Sequence, residues 1–231
     1  MRAILFDLDG TLLDLDLDAF LRRYFSALEE VSEPLAASMN DPASFMKALH
    51  TGVGAMMEPH PGRTNRDVFF ERLRNDTGVD LAHHWGVYER FYREVFPSLG
   101  DGSGPAPGAH AAVTRSFDLG LRVAIATNPI FPAEAVAHRL AWAGLAGLPY
   151  QVVTTYEQMT ACKPHATYFR ETAALLGVDP ADCLMVGDDR TLDMPAADVG
   201  MRTFYVGRDP DAVCDYRGDL DALADLLPRM A

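Results

Sequence analysis

The chain opens on a short, unbroken apolar run, Arg2-Ala-Ile-Leu-Phe6, that stops abruptly at Asp7. Continuous runs of this length suit strands buried on both faces, as in a parallel sheet. Four similar runs come much later: Arg122-Val-Ala-Ile-Ala126, Tyr150-Gln-Val-Val-Thr154, Cys183-Leu-Met-Val186 and Arg202-Thr-Phe-Tyr-Val206. Between them the apolar positions recur at helical spacing, over His110 to Leu119, Ala133 to Ala143 and Ala166 to Leu176. Each of these is closed by a glycine (Gly120, Gly144, Gly177), the usual helix stop. Strand and helix in alternation predict an α/β fold with an open, doubly wound parallel sheet.

The interval 15–99 breaks this rhythm. Phe20, Tyr24, Phe25 and Leu28 share one helical face, as do Phe69, Phe70 and Leu73, and a third face carries Phe91, Tyr92, Val95 and Phe96. Gly100-Asp-Gly-Ser-Gly-Pro-Ala-Pro-Gly108 closes the interval and reads as a hinge. The predicted organisation is therefore a Rossmann-like core from residues 1–14 and 100–231, with a helical module, 15–99, inserted after the first strand. The acidic tail beyond Val206, with Asp209, Asp211, Asp215, Asp219, Asp221 and Asp225, reads as a solvated terminal helix.

Charge narrows the partners. The 231 residues carry 33 acids against 20 Lys and Arg, a formal net charge of -13. Nucleic acid is set aside, because neutralising its phosphates needs a basic face that the sequence lacks. An acidic chain also repels a phosphorylated ligand, so a phosphate site here requires a cation. The three cysteines, Cys162, Cys183 and Cys214, have no metal-type spacing and suit a reducing compartment. Asp7 and Asp9 interrupt any signal-peptide stretch, and no apolar run is long enough for a membrane span. The expected setting is the cytoplasm, and monomer and homodimer both stay open.

Open α/β sheets bind ligands beyond the carboxyl ends of their strands. The first strand delivers Asp7-Leu8-Asp9-Gly10-Thr11, the second Thr127-Asn128, and the strand near Val186 delivers Gly187-Asp188-Asp189, with Asp193 further on. Lys163 precedes Pro164, which suits the first position of a helix and places the lysine on a turn that reaches the same rim. Singly these are ordinary features: Asp-x-Asp is usually a turn, a lysine before proline a surface residue, and Thr-Asn-Pro a helix-capping turn. Their joint placement at strand ends is what singles them out.

In this order the four elements resemble the haloacid dehalogenase superfamily, over residues 1 to about 206, and the inserted helices resemble the cap of one large branch of it. The resemblance implies a phosphatase acting on a small phosphorylated metabolite. Asp7, as a carboxylate, can attack phosphorus and split hydrolysis into two steps. Asp9 lies two residues on; if the chain turns after Leu8 it can reach the leaving oxygen, and the resemblance gives it that acid and base role. Thr11, Thr127 and Asn128 are candidates for holding phosphate oxygens, and Lys163 adds positive charge. Mg²⁺ prefers oxygen ligands, and Asp7, the backbone carbonyl of Asp9 and Asp188 would supply the protein's share. Asp189 and Asp193 would orient Lys163 or metal-bound water, and either could touch the metal itself. Dehalogenase relatives and phosphonate-cleaving relatives lack the carboxylate two positions after the nucleophile, so Asp9 favours phosphoryl transfer. Sugar-phosphate mutases keep both acids, which leaves a mutase open beside a catalytically silent binding module. For substrate selection the candidate is the polar loop His60-Pro-Gly-Arg63-Thr-Asn-Arg66, where Arg63 could hold a second anionic group. The same loop could merely start the next helix.

Overall fold

The computed structural model describes residues 1–37 and 42–230. The chain begins with β1 (Ala3–Phe6), whose four residues are all buried, and after a tight turn forms β2 (Leu13–Asp14). The inserted region then holds α1 (Leu17–Ala36), α2 (Pro42–Met57), α3 (Asn65–Thr77) and α4 (Trp85–Arg90). A π-helical turn, Phe91–Val95, and a 3₁₀ turn, Phe96–Gly100, lead out of it to β3 (Gly104–Pro105). From there helices and strands alternate: α5 (Ala109–Asp118), β4 (Arg122–Ile125), α6 (Ala133–Trp142), β5 (Val152–Val153), α7 (Ala166–Leu176), β6 (Cys183–Gly187) and β7 (Arg202–Tyr205). The chain ends with β8 (Tyr216–Arg217) and α8 (Leu220–Leu226).

The sheet order is β5-β4-β1-β6-β7-β8, and every pairing is parallel. β1 therefore lies centrally, with Phe6 in register with Ile125 on one side and Val186 on the other. The residues after these three strands, Asp7, Ala126-Thr127 and Asp188, consequently emerge side by side at one edge of the sheet. The apolar runs are continuous because helices cover both faces. One packed cluster, with Ile4, Phe6, Val113, Val123 and Leu223, fills one face, and another, with Leu5, Met185, Phe169 and Ala173, fills the other.

The chain enters and leaves the inserted helices through adjacent positions, since β2 and β3 pair antiparallel, Leu13 with Pro105 and Asp14 with Gly104. Asp16 caps α1 by accepting from the Ala19 amide at 2.9 Å, which gives one of the acids after Asp9 a structural duty. The helical faces read from the sequence meet in an aromatic cluster: Phe20 and Tyr24 pack with Phe91, Phe96 and Phe131, and Trp142 stacks on Phe96 at 5.4 Å. Trp85 packs among the inserted helices with Tyr88 and Phe70, whereas Trp142, on α6, joins them to the core.

Two expectations need correction. Pro164 is not the first residue of a helix: α7 starts at Ala166, and the Lys163–Pro164 peptide is cis. The acidic tail is not merely a solvated helix. It adds the edge strand β8 before α8, and α8 buries Leu220 and Leu223. The Asp215 carboxylate accepts from the amide and hydroxyl of Thr203 at 2.8 and 3.0 Å, docking the tail to β7. These strands of two residues carry no periodicity to read.

Candidate active site

The strand ends converge on a cleft of about 210 Å³, lined by Asp7, Asp9, Thr127, Lys163, Asp188 and Asp193 among others. Leu17 and Leu21 of α1 close it from the inserted side. At its centre Lys163 is 1% exposed and donates from Nζ to Asp7 Oδ1 at 2.7 Å and to Asp193 Oδ1 at 2.6 Å. Burial works against the ammonium charge, but Asp193 and Asp7 outweigh it and hold Lys163 protonated above its ordinary range. The lysine backbone is fixed as well: its amide donates to Asn128 Oδ1 at 3.1 Å, so Asn128 ties the second strand end to the lysine turn.

The remaining acids divide by what holds them. Asp188 accepts from the Thr11 hydroxyl at 3.1 Å. Burial first, and Asp7 nearby second, push its pKa up to about 6. Asp193 reaches back from one oxygen to Lys163 and accepts from the Asp189 amide with the other, at 3.0 Å. Asp189 turns into its own loop, accepting from the Thr191 amide and hydroxyl at 2.6 and 2.7 Å and from the Leu192 amide at 3.1 Å. Despite partial burial, these bonds hold its carboxyl below the ordinary range. Two glycines make the crowding feasible. Gly10 has a φ of +82°, where L side chains are strained, and a Cβ there would press on the Asp188 carboxylate. A Cβ at Gly187 would meet Asp193 in the same way.

Carboxylate oxygens of Asp7, Asp188 and Asp193 come within 4.8 Å of one another. Hard oxygen donors at that spacing, with Asp188 and Asp193 both raised in pKa chiefly by burial, fit a small divalent cation such as Mg²⁺. Asp7 and Asp188 were read from the sequence as ligands. Asp193 and Asp189 were both read as groups that orient Lys163 or metal-bound water or touch the metal itself; Asp193 bonds Lys163 and stands in this set, whereas Asp189 is bonded within its own loop.

The candidates for phosphate contact separate. Thr127 is buried in the cleft wall, and its carbonyl is pinned by the Thr154 hydroxyl at 2.7 Å and the Tyr168 hydroxyl at 2.9 Å. The Thr11 hydroxyl is engaged by Asp188, and Asn128 spends its side chain on Lys163 and on Met57 Sδ at 3.6 Å. Arg63 is not brought to the cleft. It pairs with Glu71, donates to the Asp67 carbonyl at 3.4 Å and stands exposed. Its loop serves docking instead. The Asn65 amide donates to the Met159 carbonyl, and Asn65 Nδ2 donates to the Pro129 carbonyl, both at 2.8 Å, with Thr64 capping α3.

The charged cleft residue that went unread in the sequence is Arg139. Arg139, on α6, is 1% exposed and pairs with Asp9. Burial leads in raising the Asp9 carboxyl above its ordinary pKa, and Arg139 pulls the other way. The signal was available: α6 buries Ala135, Val136, Arg139 and Leu140, so an arginine sits on the face where only apolar residues belong.

A model of the haloacid dehalogenase-like hydrolases matches residues 1–199. The chain belongs to that family. It is 28% identical to a phosphoglycolate phosphatase of Mesorhizobium japonicum, over 99% of this chain and 97% of that protein. Among solved structures, a HAD phosphatase from Thermococcus onnurineus superposes with a TM-score of 0.59 at 22% identity, covering 98% of each chain. A β-phosphoglucomutase from Clostridium difficile superposes with a TM-score of 0.56 at 13% identity, over 100% of this chain and 96% of that one. Such distant structural likeness establishes a shared fold and does not separate hydrolase from mutase. No helix among the described residues is long and apolar enough to cross a membrane.

Proposed function

We propose that this family member is a Mg²⁺-dependent phosphoric monoester hydrolase that acts on a small phosphorylated metabolite through an aspartyl-phosphate on Asp7. The observation that carries the reading is the buried Lys163 bridge between Asp7 and Asp193. It fixes one oxygen of Asp7, so the other can turn to phosphorus, and it supplies a cation where phosphate oxygens would gather. The relationship to a phosphoglycolate phosphatase along nearly the whole chain supports the substrate class.

Asp7 attacks phosphorus; the new bond to the carboxylate oxygen forms as the ester bond to the leaving oxygen breaks. Asp9 gives its proton to that oxygen, and the free alcohol departs. In the second half Asp9 takes a proton from the incoming water, whose oxygen bonds to phosphorus, and inorganic phosphate leaves Asp7 unmodified. Asp7, Asp188 and Asp193, with the Asp9 carbonyl, would hold Mg²⁺. The bound cation offsets the repulsion between an anionic nucleophile and an anionic phosphate. Thr127 lies within the same wall as a hydroxyl for a phosphoryl oxygen. Asp189 fixes the loop that carries Asp188 and Asp193.

The test is phosphate release from a broad panel of phosphorylated metabolites, with Mg²⁺ and with excess chelator, for wild type and Asp7→Asn. Mg²⁺-dependent release lost in the variant is the expected result. Conversion of a phosphosugar to its isomer without free phosphate would instead make the protein a mutase, and no reaction with any compound would make it a silent binding module.

A further inference from the structure

Arg139 has an unusual bonding pattern for a fully buried guanidinium. Nη1 donates to Asp9 Oδ2, while Nε and Nη2 have no hydrogen-bond partner. The Phe131 ring lies against the guanidinium, 4.6 Å from its central carbon. Asp9 mirrors this: Oδ2 is held by Arg139, and Oδ1 is buried without a partner. Among the described residues the two make no other ion pair. Both line the cleft beside Leu17, Leu21 and Phe131.

Burying a guanidinium costs free energy that one carboxylate hardly offsets, and a leucine or methionine would fill the helix face without that cost. What the cation adds is a fixed direction for Asp9. A carboxylate two residues from Asp7 would otherwise be free to swing toward the cation-binding group, from whose close-spaced oxygens Asp9 is now excluded. An untethered carboxylate would also exchange its two oxygens by rotation about χ2. Arg139, itself wedged by Phe131, ties down Oδ2 and leaves Oδ1 as the oxygen free for another partner.

We infer that Arg139 is a positioning residue, one that holds Asp9 apart from the metal-binding acids and presents its Oδ1 to the leaving-group oxygen. This rests on the hydrolase reading and on Asp9 as the proton donor within it. The role has a specific kinetic signature. A good leaving group departs without a proton, whereas an alkoxide does not, so loss of Arg139 penalises poor leaving groups selectively.

The experiment measures kcat/KM, which reports transfer to Asp7, for 4-nitrophenyl phosphate and for ethyl phosphate, with Mg²⁺ at saturation. Proteins are wild type, Arg139→Met, Arg139→Lys, Asp9→Asn and the double variant Asp9→Asn/Arg139→Met. For Arg139→Met the ratio between the two esters is expected to shift by on the order of 10², the range of general acid catalysis. Arg139→Lys should restore part of it, and in the Asp9→Asn background Arg139→Met should add no further shift. The double variant removes the unpaired buried charge, so it keeps the comparison available should Arg139→Met fold poorly. An equal fall on both esters, an unshifted ratio, or a further shift in the Asp9→Asn background would overturn the inference. Wild type inactive on both esters and on every compound of the metabolite panel would overturn the hydrolase reading itself, a result distinct from active enzyme with an unshifted ratio.

Discussion

The two sides of the cleft use buried cations in opposite ways. On the metal side Lys163 is tied on several sides: its ammonium bridges Asp7 and Asp193, its amide is held by Asn128, and Asp188 and Asp189 are bonded in turn by Thr11 and by their own loop. On the leaving-group side Arg139 has one carboxylate, two idle nitrogens and an aromatic ring, and the wall around it is apolar. A dense network fixes several groups at once and tolerates little change in any of them. A single ion pair in an apolar wall fixes one group and stays free to alter its other contacts when substrate arrives. On the proposed mechanism, the difference would suit a site that holds its nucleophile fixed while the contacts beside Asp9 change with the leaving group.

Breaking the metal side should have the largest effects. Asp7→Asn is expected to lower turnover by at least about 10⁴ with the fold retained, measured as phosphate release alongside circular dichroism. Next comes stability. Lys163→Met strands Asp193 in the interior and should cost about 3–5 kcal/mol in denaturant unfolding. On the other side, Arg139→Met should cost a comparable amount, but with a difference that sharpens the contrast: one added change, Asp9→Asn, should recover most of it, whereas no single change recovers Lys163→Met, which serves two acids. A double-mutant unfolding series decides this.

A smaller effect concerns pH. The folded pKa of Asp188 is about 6, above an ordinary carboxylate, so its protonated form is favoured by folding. That contribution is fully present below the unfolded value near 4 and is lost as pH rises through about 6. Without metal, Asp188→Asn should therefore be more stable than wild type by about 1–2 kcal/mol above pH 6, and the gap should close toward pH 4. Added Mg²⁺ should reverse the order by stabilising wild type alone. The smallest effect is expected at Arg63, whose exposed pair with Glu71 is worth under about 1 kcal/mol. Arg63→Ala should leave kcat/KM within about twofold, since the residue is not in the cleft wall.

The same contrast explains what could be read in advance. Asp7 and Asp188 follow apolar runs whose length and continuity mark buried parallel strands, and in such sheets the positions after strands gather at one rim, whereas Lys163 was singled out by its place before Pro164 and in the order of motifs. Arg139 was marked only by its place on the apolar face of α6, without a sign of what it meets there, and Leu17 and Leu21 reach the cleft from α1 by packing that linear spacing does not encode. Arg63 misled because a polar loop between helices looks alike whether it faces a ligand or solvent; here its neighbour Asn65 is the buried one, spent on joining α3 to the core. The two-residue strands β2, β3 and β8 were likewise too short to leave a period, and the helical face at Phe91 to Phe96 did not reveal that its backbone is a π-helical turn followed by a 3₁₀ turn.

The central claim is that Asp7 becomes phosphorylated. The most direct test mixes the enzyme with Mg²⁺ and a phosphate-labelled ester, quenches in acid within one turnover, and maps the label by mass spectrometry of peptides. The account predicts a hydroxylamine-labile phosphate on Asp7, absent from Asp7→Asn and accumulating in Asp9→Asn when an aryl ester supplies the label. Steady turnover with no label on Asp7 at any quench time, in wild type and in Asp9→Asn alike, would contradict it.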